Sequence, residues 1–304
     1  MSARRLVALV LTAAGLLLGP AAAGTAATPT QRAVAYLERA QNGDGGYGFA
    51  PRSQTTAIAT HWAAMGLRAA GRNPARVHQL GGDTLAEAVA RTASAELDDA
   101  STTARAIMAL RASGGASTLL PRLLELQLEN GSFDGRVTTT AFGIFALRAA
   151  GRAPSDDAVR RATEWLAGQQ NDDGGFGAAG RGGPSGIDET AAAIQAFRRA
   201  GLGRDAAPVR RALRWLLARQ RADGGFPLTP TGASNAMSTA WAIQAFAAVG
   251  RDPRRVRRRG SRNPLVFLRS LQASDGSFRY SRSSAQTPVW VTAQALMGLA
   301  RRPF

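Results

Sequence analysis

The sequence predicts an all-helical protein built from six paired-helix repeats. Two recurring motifs predict this fold class: a Gln-containing segment that returns five times and a segment beginning with Thr that returns six times. The composition agrees, because 45% of the 304 residues are apolar, which is enough for one large core. Repeat proteins reach this length as a single domain.

The Gln motif reads Gln-x-x-Asp/Asn-Gly-Gly/Ser-Phe/Tyr and follows a short amphipathic segment. An apolar residue stands four positions before each Gln, as Leu37 does before Gln41, and this spacing suits a helix whose apolar stripe packs on a neighbour. The Asp/Asn-Gly pair signals a turn. The copies are QNGDGGY (41–47), QLENGSF (127–133), QNDDGGF (170–176), QRADGGF (220–226) and QASDGSF (272–278).

The Thr motif predicts the second helix of each pair. We expect the Thr to cap the helix and the Gly found eleven residues later in five copies to stop it. Small residues six positions after the Thr, such as Gly66, predict close helix packing. The copies begin at Thr60, Thr103, Thr140, Thr190, Thr239 and Thr292.

The second repeat lacks a recognisable Gln motif. Its outer helix is expected near 82–95, and Leu97-Asp98-Asp99 then leads into Thr103. Six outer and six inner helices should therefore alternate along the chain.

The five Gln motifs resemble the repeats of squalene–hopene and oxidosqualene cyclases and those of protein prenyltransferase β-subunits. The resemblance covers about residues 30–304. It implies an α6/α6 toroid, a closed double ring of six outer and six inner helices around a central cavity. It also implies that the repeated Gln and aromatic residues are structural, tying an outer helix to the next turn.

Residues 1–27 have the pattern of a secretory signal, so the protein is expected to be secreted as a single toroid of residues 28–304. Arg4 and Arg5 precede a short apolar run from Leu6 to Leu18, and small residues follow at 21–27. The run is too short for a transmembrane helix.

Composition excludes several kinds of chemistry. With no cysteine, the chain has no disulfide, thiolate metal ligand or thioester.

All 38 basic residues are arginine, and the net charge is +17. An Arg-rich stretch at 251–262 is a candidate contact for an anionic membrane or cell-wall surface, although a solvated loop is the simpler interpretation. Nucleic acid is a poor partner for an exported chain without base-stacking motifs.

Positions that vary between repeats are candidates for the cavity wall. Counted from each Thr, positions +2 and +5 share one helix face, and positions −2 and −1 continue it. Such an apolar, sparsely polar wall suits a hydrophobic small molecule, and side chains that simply fill the centre are the alternative. The candidate ligand-binding residues are Trp62, Met65, Arg105, Met108, Phe142, Phe145, Gln195, Trp241, Gln244, Trp290, Gln294 and Met297.

The candidate catalytic residues lie in GIDETA, residues 186–191. Class II terpene cyclases protonate an alkene with the third residue of a D-x-D-D-T-A segment, and this resemblance places Asp188 at the proton donor and Glu189 at the final acid. Gly186 replaces the first Asp. Those cyclases also generally place their active site between two helical domains, whereas this chain predicts one. The alternative is that both acids stabilise the helix N-terminus.

No cofactor or metal is predicted. The zinc of protein prenyltransferases is held by Asp, Cys and His, whereas this chain has two histidines, His61 and His78, and no Cys.

Three functions follow from these patterns. The first is an exported protein that binds an isoprenoid or other apolar small molecule in its lumen without catalysis, as the toroidal cobalamin carriers bind a large cofactor. The second is a metal-independent class II-type terpene cyclase that uses Asp188 as proton donor. The third is a cell-surface interaction module with a filled lumen.

Overall fold

A computed structural model describes residues 26–229, 231–258 and 260–304, which form twelve α-helices and two short strand pairs. The outer helices are α1 (Pro29–Ala40), α3 (Leu85–Ala95), α5 (Leu120–Glu125), α7 (Asp157–Gly168), α9 (Ala207–Leu217) and α11 (Pro264–Ser270). The inner helices are α2 (Ala57–Ala69), α4 (Ala100–Leu110), α6 (Val137–Ala149), α8 (Ile187–Arg199), α10 (Ala236–Ala248) and α12 (Pro288–Ala300).

The inner helices form a closed ring. Each packs on its neighbours in chain order, and α12 packs against both α10 and α2. The small residue Gly66 permits this closure, since a Cβ on it would lie 2.6 Å from the carbonyl oxygen of Ala293 on α12. The outer helices pack around this ring. The all-α toroid predicted from the sequence is therefore confirmed.

The Gln side chains join one repeat to the next, as the resemblance implied. Nε2 of Gln170 donates to the carbonyl oxygen of Gly174 in its own turn at 3.0 Å and to that of Pro208 on α9 at 2.9 Å. Gln127 makes the equivalent pair of bonds to Gly131 and Ala158, each at 2.9 Å. One buried amide thus satisfies two carbonyl groups that belong to successive repeats.

The motif Thr does not cap its helix, which corrects the sequence expectation. Helix α8 begins three residues before Thr190, and α10 begins three residues before Thr239. The Thr190 hydroxyl instead accepts a hydrogen bond from the backbone N–H of the buried Phe176 at 3.0 Å, and Thr239 accepts one from Phe226 at the same distance. The Thr therefore fixes the Gln motif to the first turn of the inner helix.

Two antiparallel strand pairs carry the chain from a Gln motif to an inner helix. Strands β1 (Phe176–Gly177) and β2 (Ser185–Gly186) precede α8, and β3 (Phe226–Pro227) and β4 (Ser234–Asn235) precede α10. Because α8 and α10 start directly at these strands, their first residues have fixed positions at one end of the ring.

The predicted signal segment, residues 1–27, lies outside the described residues except for Ala26 and Ala27. From residue 26 onward, no described helix combines the length and apolar character needed to cross a bilayer.

Candidate functional site

A cavity of about 710 Å³ opens at the end of the ring where the inner helices begin. Its walls come mainly from the first two turns of these helices and from the loops that precede them. The lining residues are Ile58, Trp62, Ser101, Arg105, Arg136, Thr138, Thr139, Phe142, Ala178, Ala179, Asp188, Glu189, Leu228, Asn235, Met237, Ser238, Trp241, Tyr280, Trp290 and Gln294. The lumen is therefore not filled at this end, contrary to the filled-centre alternative.

The +2 positions supply the aromatic floor of the cavity. Trp62 lies edge-on to Trp241, with ring centroids 5.9 Å apart, and edge-on to Phe142, also at 5.9 Å. Trp290 forms part of the wall and contacts Phe49 at 5.6 Å. Of the twelve candidate ligand-binding residues, six line the cavity, namely Trp62, Arg105, Phe142, Trp241, Trp290 and Gln294.

The +5 positions do not line the cavity, which corrects the expectation that both columns face it. These side chains are at most 3% exposed and lie deeper in the ring. The +5 residues lie about one helical turn beyond the +2 residues, farther from the mouth of the cavity. The segment after α12 covers this turn, because Phe304 stacks on Phe145 with ring centroids 4.9 Å apart. The residues concerned are Met65, Met108, Phe145, Gln195, Gln244 and Met297.

Asp188 and Glu189 lie in the first turn of α8, and both line the cavity. Burial and the neighbouring Glu189 raise the pKa of Asp188 to about 7, against a weaker opposing effect of the Ser238 hydroxyl. Its Oδ1 is inaccessible to solvent and has no hydrogen-bond partner among the described residues. A substantial fraction of this carboxyl group is therefore protonated at neutral pH.

The Glu189 carboxylate fills the room left by Gly186. A side chain at Gly186 would overlap Oε2 of Glu189. Burial raises the pKa of Glu189, and a hydrogen bond from its own backbone N–H acts in the opposite direction. A second carboxyl group thus lies beside Asp188, although the sequence lacks the first acid of the cyclase pattern.

Arg105 places a positive charge in the cavity wall. It is 8% exposed, and its guanidinium lies 5.9 Å from the centroid of the Phe142 ring. Nη2 donates to the Thr102 hydroxyl at 3.1 Å and Nη1 to that of Ser101, while Nε has no partner among the described residues. No carboxylate in the described part of the chain lies within 4.0 Å of it to form an ion pair. Burial lowers its pKa, against the attraction of Asp99 and Glu96.

His61 faces away from the cavity. Nε2 lies 3.0 Å from the Thr92 hydroxyl on α3, and that hydroxyl donates to the carbonyl oxygen of Ala88, so His61 is the donor. Burial, reinforced by Arg105, lowers its pKa to about 3, and the imidazole is neutral. Within residues 26–229, 231–258 and 260–304, no three His, Asp or Glu side chains are grouped to hold a metal ion.

The Arg-rich stretch at 251–262 is partly structural. The backbone N–H of Arg258 donates to Oε1 of Gln220 at 2.9 Å, and its guanidinium donates to the carbonyl oxygen of Ala218 at 3.2 Å. Arg254, Arg255 and Arg257 are exposed.

Sequence reasoning missed several residues of the site, and two of them have roles that the structure makes clear. Tyr280 reaches the cavity from the loop after the last Gln motif, where burial and, to a smaller extent, the nearby Asp188 raise the pKa of its hydroxyl. Phe304 lies behind the aromatic floor. Neither residue belongs to a repeated motif, so comparison of the repeats could not find it.

A sequence model of the family described as "Prenyltransferase alpha-alpha toroid domain" matches residues 2–227 and 193–296. A search of the curated proteins found no match.

Similar solved structures include both cyclases and prenyltransferases. The apo type II terpene cyclase MstE from Scytonema has a TM-score of 0.60 and 15% identity, over 90% of this chain and 96% of that chain. Protein geranylgeranyltransferase-I from Candida albicans, complexed with GGPP, has a TM-score of 0.57 and 14% identity, over 80% and 83%. The ent-copalyl diphosphate synthase from Streptomyces platensis has a TM-score of 0.53 and 20% identity, over 81% and 50%. At these identities the likeness concerns the fold.

Proposed function

The chain belongs to the prenyltransferase alpha-alpha toroid domain family, and from this premise we propose that its lumen binds an apolar, isoprenoid small molecule. The observation that carries the proposal is the cavity of about 710 Å³ with Trp62, Phe142, Trp241 and Trp290 in its wall. Small-molecule sites have volumes of roughly 300–1,000 Å³ and are lined mainly by apolar and aromatic side chains.

The polar groups of the wall indicate what kind of isoprenoid fits. Arg105 is a buried cation without a carboxylate partner in the described residues, and the inaccessible Nε1 of the partly buried Trp290 also lacks an acceptor there. Unsatisfied buried donors are costly, and a ligand acceptor group would satisfy them. We expect the ligand to combine a long apolar chain with one phosphate or carboxylate group.

Binding is tested directly with geranylgeranyl phosphate and the purified mature protein. Calorimetric titration should give saturable one-to-one binding in the micromolar range or tighter, and the double variant Trp62→Ala/Trp241→Ala should weaken it at least tenfold. The matched control is Trp165→Ala, since Trp165 lies on the outer helix α7 and does not line the cavity. Equal weakening by the control, or no saturable binding, would contradict the proposal.

A second candidate function is proton-initiated cyclisation, and the state of Asp188 favours it. Protonation of an alkene needs a carboxylic acid that is still protonated near neutral pH, which a pKa of about 7 provides. The Asp188 proton would form a C–H bond with one alkene carbon, and the cation left on the other carbon would be attacked by the next double bond. Loss of a proton at the end makes the product an isomer of the substrate. Aromatic faces such as Trp62 and Trp241 would stabilise the cations.

A single toroid is compatible with this chemistry. MstE is a type II terpene cyclase, and 96% of its chain is matched by 90% of this one, so the two have similar lengths. The expectation that such cyclases generally place their active site between two helical domains is therefore not a sufficient argument against catalysis.

The two functions are separated by incubating the protein with geranylgeraniol and geranylgeranyl phosphate. Cyclisation predicts a product of unchanged mass with a different retention time, which Asp188→Asn abolishes while binding persists. Binding without any isomer in the wild-type protein would leave the carrier function.

The comparisons give no support to a membrane or cell-wall partner through 251–262.

Export remains part of the proposal. It predicts that the protein is recovered outside the cytoplasm with an N-terminus near residue 28, as terminal sequencing would determine. Recovery of a cytoplasmic protein beginning at Met1 would contradict it.

A further inference from the structure

Phe304 occupies the deep half of the ring. It is 6% exposed and its ring lies 6.0 Å from Trp62 and 5.3 Å from Trp241, the two tryptophans of the cavity floor. It also lies 6.3 Å from Phe142, edge-on. On its far side it stacks on Phe145 at 4.9 Å with an interplanar angle of 28°. Phe304 therefore separates the +2 positions, which line the cavity, from the deeper +5 positions.

The segment that carries Phe304 lies across the end of the ring at which helix α12 ends. Helix α12 ends at Ala300, and Arg301 takes a left-handed conformation with φ of 53°, donating back to the carbonyl groups of Met297 and Gly298. This reverses the chain direction. The carbonyl oxygen of Arg302 then accepts a hydrogen bond from Nε2 of Gln244 at 3.2 Å. Beyond this bond Pro303 stays exposed, and the Phe304 side chain enters the centre of the ring.

We propose that Phe304 sets the depth of the cavity and thereby the length of the isoprenoid chain that it admits. This inference rests on the proposed function, because it names a specificity-determining residue for the same site. The rings of Trp62, Phe142 and Trp241 cannot move deeper while Phe304 supports them, since protein interiors are close-packed. Without Phe304 the space that it vacates would border the apolar ring of Phe145, and an apolar chain end could enter it.

The test compares Phe304→Ala with the wild-type protein in binding farnesyl, geranylgeranyl and geranylfarnesyl phosphates, which differ by one isoprene unit each. We expect the variant to shift its preference by one unit, improving the affinity for the longer chain relative to the shorter one about tenfold. Phe304→Met keeps an unbranched apolar side chain in the same place and should shift the preference less. Phe304→Met also keeps the test possible if Phe304→Ala does not fold.

Pro303→Ala is the matched control, because Pro303 is exposed in the same segment and should leave the preference unchanged. An unchanged chain-length preference in folded Phe304→Ala and Phe304→Met would overturn the proposed role of Phe304. The proposed ligand site itself would still stand. If the wild-type protein bound none of the three phosphates, the proposed function would fail, and this inference would fail with it.

Discussion

Nε2 of Gln272, in the last repeat, donates a hydrogen bond to the carbonyl oxygen of Pro29, at the start of the first outer helix, 2.8 Å away. The same Nε2 donates to the carbonyl oxygen of Gly276 at 3.1 Å, and Arg32 of α1 donates to Oε1 of Gln272. The contact that joins successive repeats elsewhere thus also joins the last repeat to the first. A chain of repeats becomes a ring through the same side-chain chemistry that links its members.

Replacing Gln272 with alanine should destabilise the ring at its closing point. Two partly buried carbonyl groups would lose their donor, and each such loss costs about 1–2 kcal/mol, so we expect the free energy of unfolding to fall by about 2–4 kcal/mol. Urea denaturation measures this. Gln286→Ala is the control, since Gln286 is exposed, and it should change stability by less than about 0.5 kcal/mol. Equal effects of the two substitutions would contradict the role of Gln272.

Thr239→Val should be destabilising, while Thr239→Ser should be nearly neutral. Valine keeps the shape of threonine but removes the oxygen that accepts from the buried N–H of Phe226, at a cost of about 1–3 kcal/mol. Serine keeps that oxygen. Thermal unfolding compares the two variants. If both lowered the melting temperature equally, the hydroxyl contact would not be what anchors the motif.

Asp188 should make the protein less stable as the pH rises from about 4 to about 7. Its pKa is raised from 3.8 to about 7, so across this interval the folded chain binds more protons than the unfolded chain. The free energy of unfolding then falls by at most about 1.4 kcal/mol per pH unit. Denaturation series at several pH values should show a shallower decline in Asp188→Asn. Asp172→Asn, at a carboxylate 94% exposed, should keep the wild-type slope, and the opposite ranking of the two variants would refute the protonated state of Asp188.

Arg105→Met should remove the preference for an anionic ligand. A hydrogen-bonded charge contributes about 1.5–3 kcal/mol, which corresponds to an affinity loss of roughly 10- to 150-fold for geranylgeranyl phosphate. The affinity for geranylgeraniol should change by less than about threefold, because the apolar wall stays intact. Competition between the two ligands provides the measurement. Equal loss for the alcohol and the phosphate would mean that Arg105 acts only in packing.

The repeats made much of the fold predictable. Leu37 and its equivalents marked the outer helices, and Gly71 and its equivalents marked the ends of the inner ones. The role of Thr239 was mistaken because a Thr near a helix start fits a cap as well as a contact to a preceding loop. The hydrogen bond from the backbone N–H of Phe226 to the Thr239 hydroxyl distinguishes the two.

Site residues could be predicted from the sequence only at positions that recur in the repeats. Five of the six +2 residues line the cavity, including Trp62 and Trp241, whereas Ala192 does not. The +5 column shares its helix face, but Phe145 is covered by Phe304, which lies outside the repeats. Helical periodicity says which way a side chain points, but not whether another segment of the chain already fills that space.

The most direct test of the central claim is photo-crosslinking with a geranylgeranyl phosphate that carries a diazirine near the end of its chain. Occupation of the lumen predicts adducts on peptides from α2, α6, α10 and α12, the helices that contribute Trp62, Phe142, Trp241 and Trp290, and unlabelled ligand should suppress them. Adducts confined to the outer helices, or insensitive to competitor, would contradict the account.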